Sequence, residues 1–527
     1  MATAKSGKAK ASGRAKGAKA AATKRGAAKR KPKSTSRRSA KAPPGAWGFW
    51  TLAVILGVAV LRLGINTLDW VPVHFDEGQY WAYGQELAWG HFSKPPLVGW
   101  VIYLTTWLGG DTTFALRIGA VAAHAAVAGL IYLAGTRLFD GRTGFWAAAG
   151  YTLAPGVSVS SMIMTTDPVM MVGWALALYA WIRAAEMHPK SGVLSWWAVL
   201  GLGLGLAMLA KYTALAFAGG ALAYALFSAR GRDWAGTGVA ALVAALVFLP
   251  NVLWQVANDF ATVTHVAEDA APAGSRVNPD KMAEFVGAQL GVIGPVWFLA
   301  IVLALWGWRG WRDDWRMRLL AWQTAPLILA MVAVAFLSRA HANWAAPAYV
   351  AGSILAAHWL LTRRWTWGLK AQAGIGALGA AVLYAASWAY ATMPGELPRG
   401  PDPFKKMRLS EPFCGAALAA LGEEGAEVLL SYDRRRLSEC MFLGGLTFQD
   451  VAVWNPGLTP NNHHELVATL QPGDERPMLL AVMHLPAARA IADRFDEARE
   501  VETGTFQTHQ GRTFSYSVWF VRGFRGY

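Results

Sequence analysis

The sequence predicts a polytopic α-helical membrane protein that ends in a small α/β domain, and three observations carry that expectation. Of 527 residues, 54% are hydrophobic and 16% charged, against about 25% charged in ordinary soluble domains. Eleven apolar stretches approach the ~20 residues needed to cross a bilayer: 47–66, 116–138, 143–163, 168–185, 194–210, 213–228, 235–254, 287–308, 319–337, 344–361 and 367–390. Beyond residue 390 the apolar runs shorten to strand length and charge rises.

The chain begins with a basic segment, 1–45. The formal net charge of +16 suggests nucleic acid until it is located: residues 1–41 hold 15 Lys and Arg and no Asp or Glu. Rich in Ala, Gly, Ser and Lys, this segment has too little apolar surface to fold and reads as a disordered tail. It runs straight into the first span, so its charge reads as a cytoplasmic topology signal that touches anionic lipid headgroups. No specific nucleic-acid partner is expected. Without an adjoining small-residue cleavage site it is also too long and too basic for a simple signal peptide.

With that tail inside, the connections after even-numbered spans should carry excess Lys and Arg. They do, at Arg137 and Arg142, Arg183 and Lys190, Arg230 and Arg232, Arg309 to Arg318, and Arg363 with Arg364. The opposite connections hold Asp76, Glu77, Lys94, Asp167, Lys211, His265, Arg339 and His341, far apart in sequence but all on the outer face. Singly, each is an ordinary snorkelling or loop residue. Together they imply a polar site, because ionisable groups at a membrane boundary are costly unless paired or facing water.

Residues 46–390 therefore read as a transmembrane domain with external loop helices at 67–113, and 391–527 as a periplasmic α/β domain. Its strands are expected at 428–432, 451–454, 478–483 and 515–521, with helices at 434–443 and 486–499. Both cysteines, Cys414 and Cys440, fall in it. An oxidising compartment permits a disulfide, and two buried thiols are the alternative.

The stretch FDEGQYWAYGQELAWGHFSKPPLVGW at 75–100 resembles the first external loop of the GT-C superfamily, specifically bacterial relatives of protein O-mannosyltransferases and of the lipid A aminoarabinose transferase. The resemblance runs through most of 47–365. Its markers are Asp76-Glu77, Lys94-Pro95-Pro96, TTD at 165–167, AKYT at 210–213, PNVLW at 250–254 followed by ND and His265, and HANWAAP at 341–347. It implies a GT-C type fold and an inverting glycosyltransferase of the bacterial inner membrane. Such an enzyme moves a sugar from a polyprenyl-phosphate donor, such as undecaprenyl phosphate, to an envelope acceptor (lipid, glycan or protein) on the periplasmic side. The chain departs from the aminoarabinose transferase at Gln79, where that enzyme has Arg, and at Ser93, where it has Glu directly before Lys-Pro-Pro.

A phosphate leaving group is a stable anion and needs little help from a general acid. The chemistry demands instead a base for the acceptor hydroxyl and cations for the departing phosphate. The resemblance makes Asp76 the base. Glu77 comes second, with a helix-start carboxylate as the plainer reading. Asp167, just before Pro168, either orients the acceptor or holds a cation, or else starts a helix. Lys94 and Lys211 are the phosphate candidates, acting as point charges; Arg339 and Arg117 are weaker ones. His265 and His341 complete the donor-binding set. Asp167 and His265 are the candidates for holding a divalent cation, although no compact ligand spacing such as His-Glu-x-x-His is present. The alternative from another class is a secondary transporter, which would place its ionisable residues near mid-membrane on broken helices and repeats. A non-catalytic scaffold is the third reading.

Overall fold

In the computed structural model, residues 45–187, 192–228, 233–264 and 277–527 are described. The basic tail, Lys190, Arg230, Arg232 and His265 lie outside the described residues. All eleven apolar stretches contain helix: α1 (Ala46–Asn66), α4 (Thr113–Leu138), α5 (Gly141–Thr152), α6 (Pro155–Ser160), α7 (Thr166–Met187), α8 (Val193–Ala210), α9 (Leu215–Phe227), α10 (Trp234–Ala257), α11 (Pro279–Val292), α12 (Pro295–Trp306), α13 (Trp315–Leu337), α14 (Ala348–Thr362) and α15 (Thr366–Thr392). Two shorter helices, α2 (Phe75–Glu86) and α3 (Leu97–Gly109), fill the first long connection.

Seven of these helices are long and apolar enough to span a membrane, and eight if the bent pair α11–α12 counts as one span. The expectation of eleven is thus refined, because four stretches are short or broken. The stretch 143–163 breaks at Leu153–Ala154 ahead of Pro155, which cannot continue a helix. Arg62 of α1 takes up the freed end, donating to the Thr152 carbonyl at 2.6 Å and to Ser158 Oγ at 3.1 Å. The pair α11–α12 bends by 114° at Gly294, whose φ of 95° favours glycine. Gln372 of α15 pins this break, donating to the Ile293 carbonyl at 2.7 Å and accepting from Trp297 N at 3.2 Å. The other two stretches hold only the 13-residue α9 and the 15-residue α14.

Burial sorts the helices. In α7, 16 of 22 residues are buried, so it runs through the middle of the bundle. In α1 only four are, and Phe49, Trp50, Leu52 and Val60 lie exposed, as lipid-facing positions should. The α7–α8 contact is close because small residues allow it: a Cβ on Gly173 would lie 2.5 Å from the Gly203 carbonyl oxygen.

Past α15 comes α16 (Ser410–Glu423), then β1 (Val428–Ser431), α17 (Arg434–Gly444), β2 (Val451–Val453), α18 (His463–Ala468), β3 (Met478–Val482), α19 (Leu485–Ala492), β4 (Phe495–His509) and β5 (Arg512–Phe524). The sheet order is β2-β1-β3-β5-β4. The pairs β1–β2 and β1–β3 are parallel; β3–β5 and β5–β4 are antiparallel. The expected helix at 486–499 stops at Ala492, and Phe495–His509 forms a strand instead. Its Glu- and Arg-rich start reads as helix, yet it is an edge strand with one neighbour and most side chains in solvent, so pairing with β5 overrides composition. Cys414 of α16 and Cys440 of α17 form a disulfide.

This α/β part packs on α2. Trp81 meets Phe442 edge-on at 5.7 Å, and a Cβ on Gly78 would sit 2.3 Å from the Ser438 carbonyl oxygen. Neither backbone can yield cheaply there. Gly78→Ala is therefore expected to separate α2 from α17 and cost about 1–3 kcal/mol through overpacking, measured as a lower thermal midpoint of the detergent-purified protein.

Candidate active site

The N-termini of α2, α4 and α7, the C-terminal parts of α8 and α10 and the segment after α13 are joined by hydrogen bonds of Arg117 with Glu77, of Lys211 and Asn343 with Asp167, and of Asn251 with the Trp89 carbonyl. There the sequence-distant polar residues converge. The start of α2 is a capping box: His74 Nδ1 accepts from Asp76 N at 3.2 Å and Glu77 Oε2 accepts from His74 N at 3.0 Å. Burial holds the His74 imidazole below its ordinary pKa, which keeps Nδ1 available as an acceptor.

The two carboxylates of the acidic pair have different surroundings. Glu77 is fully buried and its oxygens are consumed: Arg117 Nε donates at 3.0 Å and Nη2 at 2.9 Å, and Met164 N donates at 2.8 Å. Arg117 spends its other donors on the Val71 and Pro72 carbonyls at 2.8 and 3.0 Å. Neither Glu77 as a catalytic group nor Arg117 as a phosphate ligand fits this geometry, since each is already saturated by the other and by backbone. Asp76, by contrast, is about one-third exposed, and among the described residues its nearest ionic partner is His74 Nδ1 at 3.7 Å.

Asp167, at the start of α7, accepts from Lys211 Nζ at 2.6 Å and from Asn343 Nδ2 at 2.5 Å. Three segments thereby meet: the TTD turn, the break between α8 and the 3-10 turn Tyr212–Ala214, and the HANWAAP segment. Asp76 and Asp167 also share a neighbour. The Tyr80 phenol is raised well above its ordinary pKa, first by burial and then by Asp76, with Asp167 adding to the effect and Arg434 opposing it.

The loop that carries Lys94 is held by α10. Asn251 donates to the Trp89 carbonyl at 2.8 Å and accepts from the Tyr212 hydroxyl at 2.9 Å. Gln255 donates to Tyr212 Oη at 2.8 Å and to Thr262 Oγ1 at 2.6 Å, and Thr262 in turn donates to the His91 carbonyl at 2.7 Å. The loop closes on itself where His91 N donates to the Lys94 carbonyl at 3.1 Å. Lys94 Nζ reaches the Ser93 carbonyl at 3.1 Å.

Several known proteins are similar to this chain. The family described as dolichyl-phosphate-mannose-protein mannosyltransferase matches residues 93–254. Lipid A galacturonosyltransferase RgtD of Rhizobium johnstonii is 33% identical over 395 residues, covering 74% of this chain and 81% of that one. The chain belongs to the GT-C membrane glycosyltransferases of the lipid A transferase type. The undecaprenyl phosphate-alpha-4-amino-4-deoxy-L-arabinose arabinosyl transferase of Pseudomonas aeruginosa is 32% identical over 189 residues, 35% of this chain and 32% of that one. The fold matches the crystal structure of ArnT from Cupriavidus metallidurans bound to undecaprenyl phosphate with a TM-score of 0.62, at 16% identity, over 90% of this chain and 98% of that one. The transporter alternative loses its support.

Within this GT-C enzyme the remaining candidates are less engaged. Arg339 and His341 are exposed in the segment leading to Asn343, with His341 edge-on to Trp344 at 5.2 Å. Gln79 and Ser93, the two positions that depart from the aminoarabinose transferase, are neighbours: Gln79 Nε2 lies 3.5 Å and Tyr83 Oη 3.3 Å from Ser93 Oγ. Tyr80, Asn251, Gln255 and Asn343 are not singled out by the sequence: the last three have hydrogen-bond partners 7 to 176 positions away, and the short motifs contain all but Gln255 without showing what they hold. From the α/β part, Arg435 lies over the Phe75 ring at 5.2 Å.

Removing one partner of a buried ion pair leaves the other charged and unpaired, at a cost of about 3–5 kcal/mol. Glu77→Ala and Arg117→Ala are therefore expected to lower the thermal midpoint sharply, whereas Asp76→Asn should melt like the wild type. Differential scanning fluorimetry in detergent compares the three.

Proposed function

We propose that this enzyme transfers a sugar from a polyprenyl-phosphate donor to a lipid acceptor of the lipid A class, with inversion, at the periplasmic face of the inner membrane. The observation that carries the proposal is the contrast within the acidic pair, a partly exposed Asp76 held by its helix cap ahead of a fully buried Glu77, with Tyr80 a neighbour shared by Asp76 and the Asp167 of the Asp167–Lys211–Asn343 cluster. The printed activities of the relatives support the substrate class. Because the relative that covers three-quarters of the chain transfers galacturonic acid, a uronic acid is the first sugar to test. The strongly basic first 41 residues and the excess of Lys and Arg on alternate connections support the orientation.

In this reading the Asp76 carboxylate accepts the proton of the acceptor hydroxyl as its oxygen attacks the anomeric carbon. The bond from that carbon to the phosphate oxygen breaks, and both its electrons leave with the polyprenyl phosphate. The phosphate gains negative charge in this step, so a lysine beside it is worth more in the transition state than in the ground state. Lys94 and Lys211 supply that charge, and Asp167 with Asn343 holds Lys211 in place. Glu77 positions Asp76 through the cap and does not touch substrate.

Asp76→Asn keeps the shape and removes the base, which should lower turnover by about 10²- to 10⁴-fold. Lys211→Ala should weaken both donor affinity and turnover. Transfer of labelled sugar from polyprenyl phosphate to lipid A in proteoliposomes measures both, with donor binding assayed separately. Wild-type turnover in Asp76→Asn would remove Asp76 as base.

A further inference from the structure

Glu86, His91 and His463 form a cluster that the transfer chemistry does not use. Glu86 is the last residue of α2, His91 lies in the loop before Lys94, and His463 opens α18 in the α/β part. One ligand atom from each lies within 4.8 Å of the others. Glu86 Oε2 is 2.9 Å from His463 Nε2 and 4.0 Å from His91 Nε2. In a tetrahedral site with bonds near 2.1 Å, neighbouring ligand atoms stand about 3.4 Å apart, so small side-chain adjustments would close the set.

His91 makes this more than a chance grouping. Its side chain is fully buried, and among the described residues neither ring nitrogen has a hydrogen-bond partner of good geometry, the Tyr83 backbone being its nearest polar influence. An unsatisfied buried polar atom is costly, and each one calls for a reason. The ring is held flat against Tyr83, with centroids 4.1 Å apart and planes 4° apart, and meets His463 edge-on at 5.1 Å. Burial first, and then His463, keep its pKa well below the ordinary value.

We propose that Glu86, His91 and His463 bind one transition-metal ion of the zinc class, which staples the α/β part to the loop bearing Lys94. Two imidazoles and one carboxylate suit zinc, whereas magnesium and calcium favour oxygen ligands throughout. Metal uptake at His463 Nε2 moves that ring's proton, which faces Glu86 in the empty site, to Nδ1. His463 Nδ1 then carries the ring proton, and its weak contact from Phe92 N, 3.4 Å long, is given up. His463 enters from a part of the chain some 370 residues away in sequence, so the ion joins two segments distant in the chain. The site is distinct from the earlier candidates: Asp167 is engaged by Lys211 and Asn343, and His265 lies outside the described residues.

The test uses the full chain, purified in detergent through a tag without histidines, loaded with zinc and then dialysed against metal-free buffer. Plasma mass spectrometry should find about one zinc per chain, and His91→Ala and His463→Ala should each lose most of it. Cobalt in place of zinc should give the visible absorption of a four-coordinate ion in the wild type, a readout that does not depend on the variants folding. Chelation should lower the thermal midpoint of the wild type and leave that of His463→Asn unmoved. Failure of the loaded wild type to retain metal, or full retention by both alanine variants, would overturn the proposal. Neither result bears on Asp76 as the base.

Discussion

The buried ion pair between Glu77 and Arg117 is the constraint on which the active end depends. Arg117 extends a planar fork from α4 and takes both oxygens of Glu77 together with two carbonyls of the chain entering α2. Glu77 answers by accepting from the backbone of His74 and from Met164, just ahead of α7. Three segments are thus fixed at one point by hydrogen bonds to charged groups, the stronger kind. The direction of the Asp76 side chain follows, because Asp76 is the residue directly before the anchor. An acidic pair at the start of a helix here divides its labour, one carboxylate holding the backbone and the other left partly open.

The same economy of charge runs through the rest of the site. Asp167 and Lys211 neutralise each other across two helices, with Asn343 supplying a further donor. The loop carrying Lys94 is positioned by uncharged groups, Asn251, Gln255, Thr262 and Tyr212. These neutral hydrogen bonds hold the loop through its backbone carbonyls at Trp89 and His91. The α/β part closes over this arrangement through α17, whose backbone approaches α2 at a glycine.

Much of this was legible in the sequence because hydrophobicity and charge act locally. Apolar stretches had to become helices, and counting their alternation put Asp76, Lys94, Asp167 and Lys211 at a common end without any contact being known. A proline and a positive-φ glycine break two of those stretches. Pro155 and Gly294 are visible in the sequence, but Arg62 and Gln372, which make those breaks tolerable by taking the freed backbone groups, are not recognisable as partners. The edge strand β4 was misread for the opposite reason: its residues suit a helix, and only the waiting edge of β5 makes a strand better.

By itself, the sequence determined the membrane-embedded class, the helical bundle, the α/β ending and the family, since each rests on composition, periodicity or an ordered set of short motifs. Only the tertiary structure decided which carboxylate of the acidic pair is an anchor, that Cys414 and Cys440 are joined, and that Glu86, His91 and His463 stand together. The physical reason is common to all three. Each is a matter of which polar atoms are left facing one another once distant segments have buried their apolar surfaces, and a linear pattern carries no distance between residues such as His91 and His463.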